Sequence, residues 1–186
     1  EYVFNILLTP GLFLAGGNSN INIGANGADP IALCEGRADA LSVVDSVPYG
    51  GTVTSAKTAA NASNSSYAAT YWPWLQMNDT ENNKYVWLPP TVEVMRNIAL
   101  TDNVAFPWFA AAGLNRGTTN AVKARVKLRL DDRDTLYEGR LNPMATFSDV
   151  GVVIFGNKTL QVKETALNRI NVRRLLLQAR KLISAV

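Results

Sequence analysis

The sequence predicts an α/β fold, a mixed sheet covered by helices, forming part of a larger multidomain polypeptide. Three observations carry that expectation. Segments with strand-like patterning alternate with segments of helical character along the 186 residues, as in layered α/β structures. Apolar residues make up 47% of the chain and charged residues 18%, an ordinary globular balance that supports a core. A long amphipathic helix occupies 166–186, with apolar residues recurring at three- and four-residue steps.

Each element has its own local signal. Residues 2–8 read as a strand that stops at Thr9-Pro10-Gly11, and 11–27 as a Gly/Asn-rich loop. Asp29 and Pro30 supply the N-cap and first position of a short helix over 28–37. Residues 38–45 read as a buried strand ending at Asp45, and the Ala-rich stretch 52–61 as a helix. Residues 67–77 are aromatic and β-prone, but Pro73 cannot donate to a ladder, which predicts an edge strand or a bulge. A polar turn follows at 78–84, Pro89-Pro90 opens a helix over 91–100, and 113–120 is a loop.

In residues 121–130 the apolar set Val122, Ala124, Val126, Leu128 and Leu130 alternates with Lys123, Arg125, Lys127 and Arg129. Period two predicts a half-exposed strand there. Residues 131–141 predict a helix whose first-turn acids suit the helix dipole, and 150–155 a strand ending at Gly156.

Composition narrows function before any motif is read. The chain has no histidine, which removes the commonest general base and the commonest metal ligand together. Neither a Ser-His-Asp nor a Cys-His site can be built from these residues, nor a zinc site with histidine ligands. The single cysteine, Cys34, excludes an internal disulfide framework and reads as a small buried hydrophobe. No run reaches the length of a membrane-spanning helix, so no membrane insertion is expected. A net charge of +3 permits an acidic partner without demanding nucleic acid. Glu1 precedes an apolar run and Val186 lies inside a helical pattern, so residues 1–186 are expected to be one conserved region truncated at both ends.

Candidate sites are few. The Gly-rich stretch 11–27 contains neither G-x-G-x-x-G nor G-K-[ST], and reads as a surface loop rather than a phosphate cradle. Asp131, Asp132, Asp134 and Glu138 cluster, but capping and dipole effects explain them, and no second acidic cluster completes a metal site. The N-x-[ST] triplets beginning at Asn61, Asn64, Asn78 and Asn157 are chance matches in an Asn-rich chain. Tyr71, Trp72 and Trp74 read as a core or interface anchor before a stacking platform.

The last helix carries the clearest pattern. Val172, Leu175, Leu176, Ala179, Leu182, Ile183 and Val186 form one apolar face, expected to pack on the sheet. Arg173, Arg174, Arg180 and Lys181 fall on the opposite side and are expected to be solvated or to meet an acidic surface.

A set of ordered motifs then resembles a known family. Arg133-Asp134-Thr135-Leu136-Tyr137-Glu138 is followed by Leu141-Asn142-Pro143, by residues 152–160 containing Gly156-Asn157-Lys158-Thr159, and by residues 167–175 containing Asn168-Arg169-Ile170-Asn171-Val172-Arg173-Arg174. Upstream stand Thr101-Asp102-Asn103 and the run 111–117, Ala-Ala-Gly-Leu-Asn-Arg-Gly. In this order they resemble the tail sheath proteins of contractile bacteriophages. The chain departs at Ala99-Leu100, where the family has Ala-Arg, and at Ala111, where it has proline. The clear match covers 87–182.

The resemblance implies a structural role without catalytic residues, cofactor or metal. Sheath subunits stack as hexameric rings around a tail tube and contract on a baseplate signal, driving the tube through the host envelope. It implies self-association, tube and baseplate as partners, no direct nucleic acid, and residence in the virion tail after assembly in the host cytoplasm. Arg169, Arg173, Arg174, Arg180 and Lys181 become the candidate tube contacts. Two other readings have different requirements: an α/β enzyme using Asp45 and Asp132, and a carbohydrate-binding module using Trp72 and Trp74.

Overall fold

The computed structural model describes residues 4–14 and 29–184. Most of the Gly-rich loop, and Val186 of the expected apolar face, lie outside the described residues. The strands are β1 (Ile6–Phe13), β2 (Leu41–Asp45), β3 (Ala68–Trp72), β4 (Leu75–Asp79), β5 (Lys84–Leu88), β6 (Lys123–Ala124), β7 (Asn142–Phe147) and β8 (Gly151–Ile154). The helices are α1 (Pro30–Arg37), α2 (Val53–Asn61), α3 (Pro90–Val104), α4 (Leu130–Glu138) and α5 (Ile170–Ser184), with a 3-10 turn at Ala166–Asn168 before α5.

The main sheet has the order β1-β2-β3-β7-β8. Its first four strands are parallel, and β8 closes it antiparallel to β7. The expected mixed sheet covered by helices is present. Apolar residues face both ways from its strands, as a sheet covered on both sides requires. Val44, Ala68 and Trp72 join α2 and α4 through Ala56, Ala59 and Leu136. Leu41, Val43, Ala69 and Tyr71 join α3 and α5 through Val94, Ile98, Ile170 and Leu177. Among the described residues strand order advances without reversal, so these strands form no switch point of the kind at which open parallel sheets offer ligands a crevice.

Local signals that involve only neighbouring residues hold. Asp29 caps α1 through Ile31 N–H at 2.8 Å, and Thr52 with Ser55 forms a capping box on α2. Signals that depend on distant partners shift. β1 does not stop at Pro10-Gly11: it runs to Phe13 with a register shift after Thr9, and Gly11 takes φ +82°. The side chain of Asp45 accepts from Gly11 N–H at 2.8 Å, supplying the bond that the irregular strand would otherwise lack.

Pro73 does not mark an edge, because β3 is central between β2 and β7. The proline stands just past the end of β3, where the chain turns into a second sheet of order β5-β4-β6 and no ladder bond is needed. The alternating run 121–130 is not one strand. Only Lys123 and Ala124 pair, against Gln76 and Leu75. Its apolar row divides: Ala124 packs with the α3/α5 side, Val126 and Leu128 with the α2/α4 side, and Val122 and Leu130 are exposed.

Candidate functional site

α5 contains four cationic residues and no acid. It begins where Ile170 N–H bonds Asn157 C=O at 3.1 Å, just past β8. It passes Ser66 ahead of β3 and reaches Ala38 ahead of β2, where Arg180 donates to the carbonyl at 2.7 Å. The helix thus crosses the N-terminal ends of the parallel strands, where loops offer carbonyls and polar side chains.

That placement reverses the expected orientation. The buried residues are Ile170, Arg173, Arg174 and Leu177, themselves spaced as one helical stripe. Arg173 donates from Nε to Ser66 C=O at 3.2 Å and from its terminal nitrogen to Ser66 Oγ, with its guanidinium 4.0 Å from the Tyr67 ring centroid. Arg174 pairs with Asp102 at 2.5 Å. Buried guanidinium groups persist only when their charge and donors are compensated: Arg174 has an ion pair, and Arg173 has its hydrogen bonds to Ser66 and the face of Tyr67. The face expected to pack inward points outward: Leu175 is 43% exposed, Leu176 44%, Leu182 65% and Ile183 76%.

The five candidate contact residues therefore separate. Arg173 and Arg174 spend their charge inside the chain. Arg169 is exposed and donates to the Tyr137 hydroxyl. Lys158 lies 4.2 Å from the same ring and donates to Tyr137 C=O at 3.1 Å. Burial, followed by the charge of Arg169, pushes the Lys158 ammonium below its ordinary pKa. Arg180 is exposed, and Lys181 has no side-chain hydrogen bond or ion pair among the described residues.

The ordered motifs meet in space as braces. Asn142 Nδ2 donates to Thr70 C=O at 3.0 Å and Lys158 C=O at 2.8 Å, while its Oδ1 accepts from Lys158 N–H at 2.7 Å. Gly156 lies so close that a Cβ there would stand 2.6 Å from Asn142 Oδ1. Arg140, at φ +63°, donates to the carbonyls of Ser63, Leu160 and Asn61. The sequence signal for these roles was weak: Arg174 gave no hint of Asp102 as its partner, although Ile170 and Leu177 share its helical stripe.

The residues of the enzymatic reading are not joined. Asp45 is 1% exposed and accepts from Gly11 N–H and from Thr91 N–H and Oγ1. Burial pushes its carboxyl up to about 6, against those hydrogen bonds. Asp132 accepts from Arg129 N–H at 3.1 Å at the start of α4, and no hydrogen bond links the two acids. Among the described residues no group of three His, Cys, Asp or Glu could hold a metal ion.

Trp72, 1% exposed, is core rather than half of a stacking platform. Trp74 is half-buried, donates to Val47 C=O at 3.2 Å and meets the Tyr49 ring edge-on. Cys34 is buried, and burial raises its thiol to about 11. Among the described residues no helix is long and apolar enough to cross a membrane.

On the far side of the sheet from α3, an open groove of about 260 Å³ is lined by Leu130, Arg133, Asp134, Tyr137, Pro143 and Phe155. Arg133 sits over the Phe147 and Phe155 rings at 5.3 and 5.6 Å. Asp131, Asp134 and Glu138 form an exposed stripe beside the groove, and none makes a salt bridge among the described residues.

No family model matches the chain. Curated relatives do. The chain is 39% identical over 107 residues to a tail sheath protein of Vibrio phage KVP40, a match covering 57% of the chain and 16% of that protein. It is 36% identical over 112 residues to the tail sheath protein of Enterobacteria phage T4, covering 60% of the chain and 17% of that protein. The chain thus spans about a sixth of the length of these relatives.

Among solved structures, the contracted helical sheath of the anti-feeding prophage matches with a TM-score of 0.72 at 22% identity, over 97% of this chain and 46% of that one. The contracted sheath complex of an extracellular contractile injection system matches at 0.66 and 22% identity, over 78% and 40%. At these identities the structures establish the fold. By sequence the chain is similar to bacteriophage tail sheath proteins, and its fold is similar to part of the subunit seen in contractile sheath structures.

Proposed function

We propose that this chain is the structural core of a contractile sheath subunit that polymerises as stacked hexameric rings around a tail tube. Contraction on a baseplate signal then drives the tube through the host envelope. The observation that carries the proposal is the identity of 39% over 107 residues with a phage tail sheath protein. The relatives are structural proteins, and the role proposed here is mechanical, not catalytic. Its free energy resides in packing between subunits, without cofactor or metal. The subunit would assemble in the host cytoplasm and reside in the virion tail.

For the tube contact, the proposal rests on Arg169, Arg180 and Lys181, which retain solvent access. Arg173 and Arg174 act behind them by fixing α5. Steering by surface cations falls as salt screens them. The test is co-sedimentation of the full-length protein with purified tube across a salt series. Binding that weakens with salt and with Arg180→Glu plus Lys181→Glu supports the contact; binding indifferent to both overturns it.

A further inference from the structure

We propose that the groove between α4 and β8 is a docking site for an extended segment of a partner protein, one that presents a single carboxylate to Arg133 beside apolar side chains. The inference goes beyond the sheath reading and does not depend on it. It starts from an arginine whose donors are unspent. Among the described residues, every other arginine that is at least half-buried donates to a carboxylate or a carbonyl: Arg37, Arg96, Arg125, Arg140, Arg173 and Arg174 all do. Arg133 is the exception. Its side chain makes no hydrogen bond or salt bridge among the described residues, and its Nε is buried without a partner. The acids beside it in sequence do not serve it: Asp132 accepts from Arg129 N–H, and Asp134 stays unpaired.

Two rings hold Arg133 instead. The Phe147 and Phe155 rings stand 5.2 Å apart at 58°, and the guanidinium lies over them at 5.3 and 5.6 Å. This cation–π contact fixes the group and offsets part of its desolvation, but it uses none of the N–H donors. A guanidinium so held is pre-organised to receive a carboxylate through two parallel hydrogen bonds.

Shape selects a segment of chain over a compact ligand. The hollow beside Arg133, about 260 Å³, has apolar walls from Leu130, Tyr137, Pro143 and Phe155. A second hollow of about 230 Å³ shares Tyr137 and Phe155 and carries the groove on to Gly113 and Asn157. An open, elongated groove of this form suits extended chain, with an apolar side chain in each hollow.

Charge limits what that segment carries. Lys158 and Arg169 are already bonded to Tyr137 on the groove wall, and with Arg133 they favour an anion there. Asp134 also lines the groove, and Asp131 and Glu138 are exposed on the same helix, all three unpaired among the described residues. A polyanion such as a run of phosphates therefore meets like charge. One carboxylate flanked by apolar side chains satisfies both conditions.

The test measures binding of capped tripeptides to the full-length protein by saturation-transfer NMR. Acetyl-Leu-Asp-Phe-amide should bind at least about tenfold more tightly than acetyl-Leu-Asn-Phe-amide, which matches its shape without the charge. Arg133→Gln should remove that preference, and Arg133→Lys, with the charge but no planar fork, should recover only part of it. Phe155→Ala should weaken both peptides. Equal binding of the two peptides to the unsubstituted protein, or binding of neither, overturns the inference whatever the variants do. So does a preference for the Asp peptide that survives Arg133→Gln. Displacement of the Asp peptide by an equal concentration of inorganic phosphate also overturns it, because the site then takes small anions without regard to the segment.

Discussion

Asp45 offers a perturbation whose sign and size follow from the structure. Its carboxyl joins three elements: it ends β2, bonds Gly11 of the irregular β1, and receives Thr91 in the first turn of α3. The helix N-terminus and these donors favour the ionised form, yet burial outweighs them and moves the carboxyl from 3.8 to about 6. At about 1.4 kcal/mol per tenfold change in proton affinity, this displacement is worth about 3 kcal/mol.

Because the folded-state value is raised, the folded chain binds the proton more tightly than the unfolded one. The stabilisation is complete below pH 3.8 and is lost as pH rises through about 6. Asp45→Asn keeps the shape without the charge and gives up one acceptor, at a pH-independent cost of about 1–2 kcal/mol. Urea unfolding of both proteins between pH 3.5 and 7.5 isolates the carboxyl, because other titrations cancel in the difference. The stability of the Asn variant relative to Asp should rise by about 3 kcal/mol across that window. A difference independent of pH would refute the reasoning.

Three further outcomes follow from the braces. Arg174→Ala strands Asp102 against a half-buried surface and should cost about 2–3 kcal/mol in thermal or urea unfolding. Asp102→Asn added to it should recover part of that loss, and no recovery would mean that the pair is not coupled. Gly156→Ala forces a Cβ into Asn142, 2.6 Å from Oδ1 and 2.8 Å from Cα, and should cost about 1–3 kcal/mol by the same measurement. Arg140→Ala removes the donors to Ser63, Leu160 and Asn61 and should destabilise by about 2 kcal/mol, with hydrogen exchange quickening first at the α2 C-terminus.

The sequence was most legible where structure depends on near neighbours. Asp29 and Pro30 start α1, and Thr52 starts α2, because a cap reaches only two or three residues. Asp45 ends β2 as expected. The alternation in 121–130 misled because period two states which residues share a side, not whether a partner strand runs alongside. β7 was missed because Leu141-Asn142-Pro143 begins it directly after α4, with too short a run for a period to show.

α5 shows the same limit at the candidate site. Hydrophobic periodicity found its apolar stripe but assumed that apolar means inward. Ser66 and Asp102 lie 107 and 72 residues from the arginines they hold, and these distant partners reversed the helix. Motif order pointed to the family, while only three-dimensional placement showed that Arg173, Arg174 and Asn142 are internal braces.

The central claim is that this fold serves a polymerising sheath. Electron microscopy of the full-length protein, at rising concentration and with purified tail tube added, tests it most directly. The account predicts regular tubes with a ring repeat around the tail tube, forming above a threshold concentration. Particles that stay monomeric at every concentration, and leave added tubes bare, would contradict it.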